Sequence, residues 1–439
     1  MTTKIAYVGM THLGLCSAVG AVARGAEVLG YDPDPRRIED LRSGRLGIDE
    51  PDLREGIAEN SDRLRFSSDP RDLASCALVY VAPDVPTSET GISDLSLVSH
   101  LLEHAARHAT ESAPIVLLSQ VPPGYTRSHP RAGGDLFYQV ETLIFGRAIE
   151  RAMYPERTIV GCADPRIPLP AVYAEHLARF GEVPVLAMRY ESAELAKIAI
   201  NLCLAAHLST ANALAELSAG IGADWSEIVP ALRLDARIGA HAYLAPGLGI
   251  GGGNIGRDLA TVRRISSQIG TDTAVVGAYI ADSEYRRDWA LRTLRAEVRL
   301  APSVRVGVLG LAYKQDTAST VNSPALRLIR ALGRCDVLAY DPVVPSDAPL
   351  PGLARRASSA LQACEGAAAV AIMTPWRELA ELEPADIARA MAGRCVLDPF
   401  RLLDAERCAS AGLDYHTLGS GVARTKRSER TPLEESLTC

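Results

Sequence analysis

The chain opens and nearly closes on one scheme, and that repetition limits what it can fold into. Near the start, an apolar strand from Lys4 to Val8 runs into a glycine-bearing turn and then an alanine-rich helical stretch from Leu13 to Arg24. A second strand, Glu27 to Tyr31, ends on Asp32. Near the end, "VRVGVLGLAYK" begins another strand, glycine turn and helix at Val304, and "VLAYDP" closes another strand at Asp341 and Pro342. Apolar runs at Leu78 to Ala82 and Ile115 to Leu118 alternate with helical patterns, as a parallel sheet with helices on both faces requires. From Ser192 to about Glu297 the strand formers thin out, and long Ala/Leu helices take over that are too apolar on more than one face to stand alone. The expected fold is α/β: two Rossmann-like doubly wound parallel-sheet domains joined by a central helical domain, over 1–190, 298–421 and 191–297, with a mobile polar tail at 422–439. A length of 439 residues agrees with three domains at about 150 residues each.

Composition narrows the function classes. A hydrophobic fraction of 47%, with no apolar run near the roughly 18 residues of a membrane span, predicts no membrane segment. The N-terminus enters a strand by Lys4 with no basic leader or small-residue cleavage site, which predicts a cytoplasmic protein. The net charge of -7 disfavours nonspecific nucleic-acid binding while leaving room for a local basic pocket that holds a phosphate. Nine cysteines with no C-x-x-C pair argue against a disulfide framework and a zinc site, so no metal is expected. The expected partners are small molecules and, through the central helices, a second copy of the chain.

Four lysines (Lys4, Lys197, Lys314, Lys426) stand against 42 arginines, a bias of the kind a GC-rich genome produces. A lysine kept in that background marks a place where a compact ammonium of tunable pKa serves and a guanidinium does not. Lys197 and Lys314 both lie inside motifs.

The first turn reads Gly9-Met10-Thr11-His12-Leu13-Gly14, and Thr11 stands where a second glycine would let the backbone approach a pyrophosphate. Its context supports a dinucleotide site: a strand before, a helix after, and Asp32 about 20 residues on, placed to accept from ribose hydroxyls and to favour NAD over NADP. On the helix carrying Glu194, the side chains of Lys197 and Asn201 are four apart and project from one face, where a lysine and an amide together can hold an alkoxide oxygen. The segment "YLAPGLGIGGGNIGRD", Tyr243 to Asp258, is so rich in glycine that its ordering makes sense where backbone amides come close to a ligand.

Taken in order, "AELAKIAIN" (193–201), "DARIG" (235–239), "PGLGIGGGNIGRD" (246–258), "GLAYK" (310–314), "SPAL" (323–326), "YDP" (340–342) and "TPW" (374–376) resemble the UDP-glucose/GDP-mannose dehydrogenase family, over nearly the whole chain to about residue 420. The resemblance implies NAD in the first α/β domain, with Pro83 and Gln120 among its contacts, and a nucleotide sugar at the second. It implies that Lys197 and Asn201 handle the oxyanion and that Asp258 assists proton transfer. Glu141, Tyr243, Gly249, Gly251, Asn254, Arg257 and Lys314 would face substrate, and Arg237 would reach the nucleotide diphosphate of a neighbouring subunit in a homodimer.

The family oxidises a primary alcohol twice, through a cysteine thiohemiacetal and thioester. In its G-G-S-C-F-P-K-D motif the cysteine position falls here on Asn254 and the lysine on Arg257. Asparagine cannot form the thioester. The water-activating glutamate aligns with Phe145, while Glu141 survives at the earlier acidic position; the threonine of S-T-V-P becomes Gln120, and two family arginines read Phe400 and Val321. What remains suits one hydride transfer, because a base, donors to the oxygen and a nicotinamide are enough. The leading expectation is oxidation of a secondary alcohol on a nucleotide-activated sugar to a ketone, in an antibiotic-sugar pathway such as that of the lincosamide octose. A redox-neutral epimerase and a catalytically silent nucleotide-sugar scaffold stay open.

Overall fold

The computed structural model describes residues 3–88 and 91–421; the tail expected at 422–439 lies outside the described residues. By compactness the chain divides into two units, Met1–Leu202 with Arg257–Asp272 and Cys203–Gly256 with Thr273–Cys439. The change from strands to long helices comes at Tyr190, where the final strand of the first sheet gives way to helix Tyr190–Ile221.

The first unit is built on β1 (Lys4–Val8), β2 (Glu27–Tyr31), β3 (Leu64–Ser67), β4 (Leu78–Val81), β5 (Ile115–Leu117), β6 (Leu136–Gln139), β7 (Thr158–Cys162) and β8 (Val185–Arg189). They lie in the order β3-β2-β1-β4-β5-β6-β7-β8. The pairs are parallel except β6 with β7, which departs from the all-parallel sheet that the sequence suggests. Both faces are covered, and the period-two alternation of a strand distributes its side chains accordingly. Ile5, Tyr7, Leu78 and Tyr80 enter one core, whereas Ala6, Val8, Val79 and Val81 enter the other. The sheet order reverses between β1 and β4, which is where doubly wound sheets open a crevice at their carboxyl ends.

The second unit repeats the plan with β9 (Arg305–Leu309), β10 (Asp336–Tyr340), β11 (Arg355–Arg356), β12 (Ala369–Ile372), β13 (Cys395–Leu397) and β14 (Asp414–His416). Their order is β11-β10-β9-β12-β13-β14, parallel throughout.

Helix Tyr190–Ile221 corrects one expectation. At 32 residues it is, by length and composition, long and apolar enough to cross a membrane. Two of its polar residues are engaged in protein bonds: the buried Glu194 carboxylate accepts from the backbone N–H groups of Gly124 and Thr126 at 2.6 and 2.8 Å, and Asn212 accepts from that of Gly247 at 2.7 Å.

The first turn is closed by contact. A Cβ at Gly14 would lie 1.9 Å from the carbonyl oxygen of Gly9 and 3.0 Å from that of Ala82, backbone atoms with nowhere to go. Gly14→Ala is therefore expected to destabilise the protein by about 1–3 kcal/mol in urea unfolding; a loss below about 0.5 kcal/mol, the scale of an unstrained surface substitution, would show that the turn can open.

Candidate functional site

Within the first unit the residues singled out by sequence collect at the carboxyl edge of the sheet. Gly9 to Gly14 follow β1, Asp32 follows β2, Pro83 follows β4, Gln120 follows β5 and Glu141 follows β6. Helix Tyr190–Ile221 brings Lys197 and Asn201 to the same edge, with Glu194 three residues before Lys197 on that face tying the helix to the segment after β5. Burial pushes the Glu194 carboxyl up, against the pull of the two amides that it accepts.

Two polar clusters result. The Lys197 ammonium donates to the Glu141 carbonyl oxygen at 2.8 Å and reaches its carboxylate Oε2 at 3.3 Å. Beside it on the helix, Asn201 Nδ2 donates to Asp258 Oδ2 at 2.5 Å. Asp258 is 1% exposed, so its carboxyl oxygens depend on protein donors rather than water. Its Oδ1 accepts from Gln120 Nε2 at 2.7 Å and from Arg257 Nε at 3.3 Å. Arg257 closes the cluster by donating through Nη2 to Gln120 Oε1. Gln120, expected among the cofactor contacts, and Arg257, expected on substrate, thus direct their side chains to Asp258 and to each other.

The cofactor turn carries a similar mixture of fit and departure. Asp32 accepts from the N–H groups of Met10 at 2.8 Å and Asp34 at 3.0 Å, one on each oxygen, and is half-buried. A carboxylate has about four lone-pair sites, so acceptor capacity is left for a ribose diol. His12 pairs through Nε2 with Glu50 Oε2 at 2.9 Å, and its ring packs on Phe145 at a centroid distance of 4.4 Å. Glu50 also accepts from the N–H groups of Ala148 at 2.7 Å and Gly146 at 3.2 Å, fastening the segment after β6 to the turn. Thr11 accepts through Oγ1 from the N–H of Asp84 at 2.7 Å, and the Leu13 N–H donates to Asp84 Oδ2 at 3.3 Å. The adenosine end of a dinucleotide therefore fits these residues, while at the pyrophosphate end the helix presents its Leu13 amide to a side chain of the protein.

In the second unit the motifs lock to one another. Asp341, the counterpart of Asp32, accepts from the N–H groups of Leu311 and Ala312 and from Trp376 Nε1 on one oxygen, and from those of Val343 and Val344 on the other. Ser323 Oγ donates to the Leu311 carbonyl at 2.7 Å and Thr374 Oγ1 to the Ala312 carbonyl at 2.6 Å, so GLAYK, SPAL, YDP and TPW form one knot. The glycine-rich loop lies against it: at Gly252, φ +71°, a Cβ would meet the Tyr313 ring at 2.8 Å, and Asn322 Nδ2 donates to the Gly252 carbonyl at 2.8 Å. Gly251 lies under the same ring, Gly249 against Ser283 and Arg287, and the Lys314 ammonium stands 5.9 Å from the Tyr313 ring centroid. Asn254 is exposed at the start of helix Asn254–Ile269, and Tyr243 is exposed. Arg237, expected to reach a diphosphate, is paired with Asp235 of its own turn at 2.7 Å and remains exposed. Arg401, one residue beyond Phe400, is paired with Asp224 at 2.9 Å. Val321 is exposed.

Sequence reasoning missed Glu50 and Asp84. An acidic residue just past β4, at the point where the strand order reverses, is a signal that could have found Asp84; nothing local marks Glu50. Among the described residues no group of three or more His, Cys, Asp or Glu is arranged to hold a metal.

Comparison with known proteins agrees across the chain. The UDP-glucose/GDP-mannose dehydrogenase family models match as the NAD binding domain over 3–175, the central domain over 191–282 and the UDP binding domain over 307–405. UDP-glucose 6-dehydrogenase TuaD of Bacillus subtilis (strain 168) is 30% identical over 98% of this chain and 97% of its own. UDP-glucose 6-dehydrogenase AglM of Haloferax volcanii is 30% identical over 94% of this chain and 100% of its own. The solved structure of a UDP-glucose dehydrogenase from the archaeon Pyrobaculum islandicum superimposes with a TM-score of 0.83 at 27% identity, covering 96% of this chain and 98% of that one.

The Glu50 cluster has a pH signature. Burial raises its carboxyl, but the His12 hydrogen bond and the Ala148 and Gly146 amides outweigh burial, and the net shift is downward from 4.5. A carboxyl whose pKa falls on folding stabilises the fold above its unfolded pKa, and that contribution is lost as pH drops through the lower folded value. In thermal melts, Glu50→Gln should therefore lie below the parent protein at neutral pH and converge on it in acid below about 4.5. A gap that stays constant into acid would show that Glu50 acts by packing alone.

Proposed function

The chain belongs to the UDP-glucose/GDP-mannose dehydrogenase family and carries its NAD-binding domain, and from that premise we propose that it oxidises a secondary alcohol of a nucleotide-activated sugar once, to a ketone. The observation that carries this reading is a retained half beside a missing one. Lys197, Asn201 and Asp258 stand together at the carboxyl edge of the first sheet, while the glycine-rich motif offers the amide Asn254 where acid formation needs a thiol.

No other cysteine suits that task among the described residues. Cys16, Cys76, Cys162, Cys335, Cys364, Cys395 and Cys408 are buried. Burial pushes their thiols up, away from the nucleophilic thiolate. Cys203 is exposed but follows Asn201 by two residues, about 200° around the helix from it.

The reaction then needs only a proton acceptor and a hydride acceptor. As the carbinol C–H leaves with its electron pair, the O–H proton passes to a protein base and the carbon–oxygen double bond forms. NAD, when bound, takes up the hydride. Lys197 and Asn201 hold the oxygen while charge develops on it, and Asp258, kept in place by Asn201, Gln120 and Arg257, assists the proton transfer. We place this chemistry in the cytoplasm, and the arginine bias together with the shortened chemistry supports an antibiotic-sugar pathway such as that of the lincosamide octose. A homodimer goes with the reading, because helix Tyr190–Ile221 leaves Leu195, Leu214, Leu217 and Ile221 exposed, apolar surface that a second copy would cover.

The test offers the protein UDP-, GDP- and dTDP-sugars with excess NAD, following NADH absorbance and product mass. One NADH per sugar, with a product lighter by two hydrogens, is expected. A carboxylic acid would sink the argument from Asn254, an isomerised sugar without NADH would indicate an epimerase, and no turnover on any sugar would favour a binding scaffold. On the sugar that is turned over, Lys197→Ala should lower turnover by about 10²–10³-fold or more with NAD affinity retained. Unchanged turnover would remove Lys197 from the oxyanion role.

A further inference from the structure

The amino end of a helix favours an anion, and in a dinucleotide site that anion is the pyrophosphate. At helix His12–Ala23 the place is contested by the protein's own carboxylates. The Leu13 N–H points to Asp84 Oδ2 at 3.3 Å, and Glu50 stands at His12 on the same turn. Cys16, one turn into the helix, is affected by both: after burial itself, Glu50 and Asp84 push its thiol further up.

The placement of Asp84 is built into the loop. Its N–H donates to Thr11 Oγ1 at 2.7 Å, so the residue standing where a second glycine would admit a pyrophosphate holds the competing acid in position. Pro83, with its fixed φ, precedes Asp84 and packs against the turn, where a Cβ at Gly9 would lie 3.0 Å from its nitrogen. Thr11 and Asp84 thus act together: one narrows the approach and the other supplies a negative charge where the diphosphate brings two.

We propose that Asp84, held by Thr11, is a built-in competitor for the cofactor pyrophosphate that weakens the hold on NAD and promotes its release. Resting on the ketone-forming reading, this assigns the pair a purpose. A dehydrogenase must release NADH and take up NAD in each turnover, whereas an epimerase is best served by a cofactor that stays.

The test is binding of NAD, ADP-ribose and adenosine to the full chain by calorimetry, at low and physiological salt. Asp84→Asn keeps the shape and removes the charge; it should tighten NAD and ADP-ribose by about threefold to thirtyfold at low salt and leave adenosine within about twofold. The gain should shrink as salt rises. Thr11→Val, which releases the Asp84 backbone without touching its charge, should shift affinities in the same direction and serves if Asp84→Asn folds poorly. Unchanged or weaker NAD binding in both variants would overturn the proposal, the weaker case making Asp84 a cofactor contact. An equal gain for adenosine would overturn it too, because the pocket would then merely have loosened. No sugar enters these measurements, so a parent protein that turns over no sugar would defeat the functional reading alone.

Discussion

The arrangement of this molecule's chemistry depends on one buried carboxylate. Glu194 is fully removed from water, and an unpaired charge there would cost several kcal/mol. Its two oxygens are answered by the backbone amides of Gly124 and Thr126, which lie just past β5. The bonds fix the rotation and height of helix Tyr190–Ile221 against the sheet. Lys197 and Asn201, three and seven residues further along, then have no freedom in where they emerge. The same contact steadies the segment from which Gln120 reaches Asp258. A helix apolar enough to sit in lipid is in this way held in one register by its few polar residues.

Much of this could be read in advance, and the boundary between what could and what could not is physical. Strands β1 and β2 were legible to the residue, because buried parallel strands are short apolar runs ended by glycine or aspartate. Lys197 and Asn201 share a face by helical spacing alone, and Asp32 follows from its place after the second strand. The partners of Gln120 and Leu13 were not legible: Gln120 and Asp258 are 138 residues apart and Leu13 and Asp84 are 71 apart, the first pairing made by the return of helix Asn254–Ile269 and the second by the adjacency of β1 and β4, not by any local pattern. Arg237 was named through the family resemblance and not through any local pattern. Its guanidinium is exposed and paired with the aspartate two residues before it.

The side chains around Asp258 are satisfied together. A glutamine and an arginine share one buried carboxylate, and each satisfies an atom of the other, so neither leaves a stranded donor or acceptor. Phe145 likewise packs its ring on His12, whose nitrogen is held by Glu50, and Glu50 in turn fastens the backbone just beyond Phe145. The surroundings of the Phe145 ring are in this way tied off from within the first unit.

The two sheets also carry the same vertex in two states. Asp341 receives five donors from its own loops and has become a rivet, whereas Asp32 receives two and keeps the rest of its acceptor capacity open at the surface. A scaffold used twice in one chain thus differs at this corner less in residue type than in valence: closing the vertex from within yields a structural joint, and leaving it under-coordinated yields a socket.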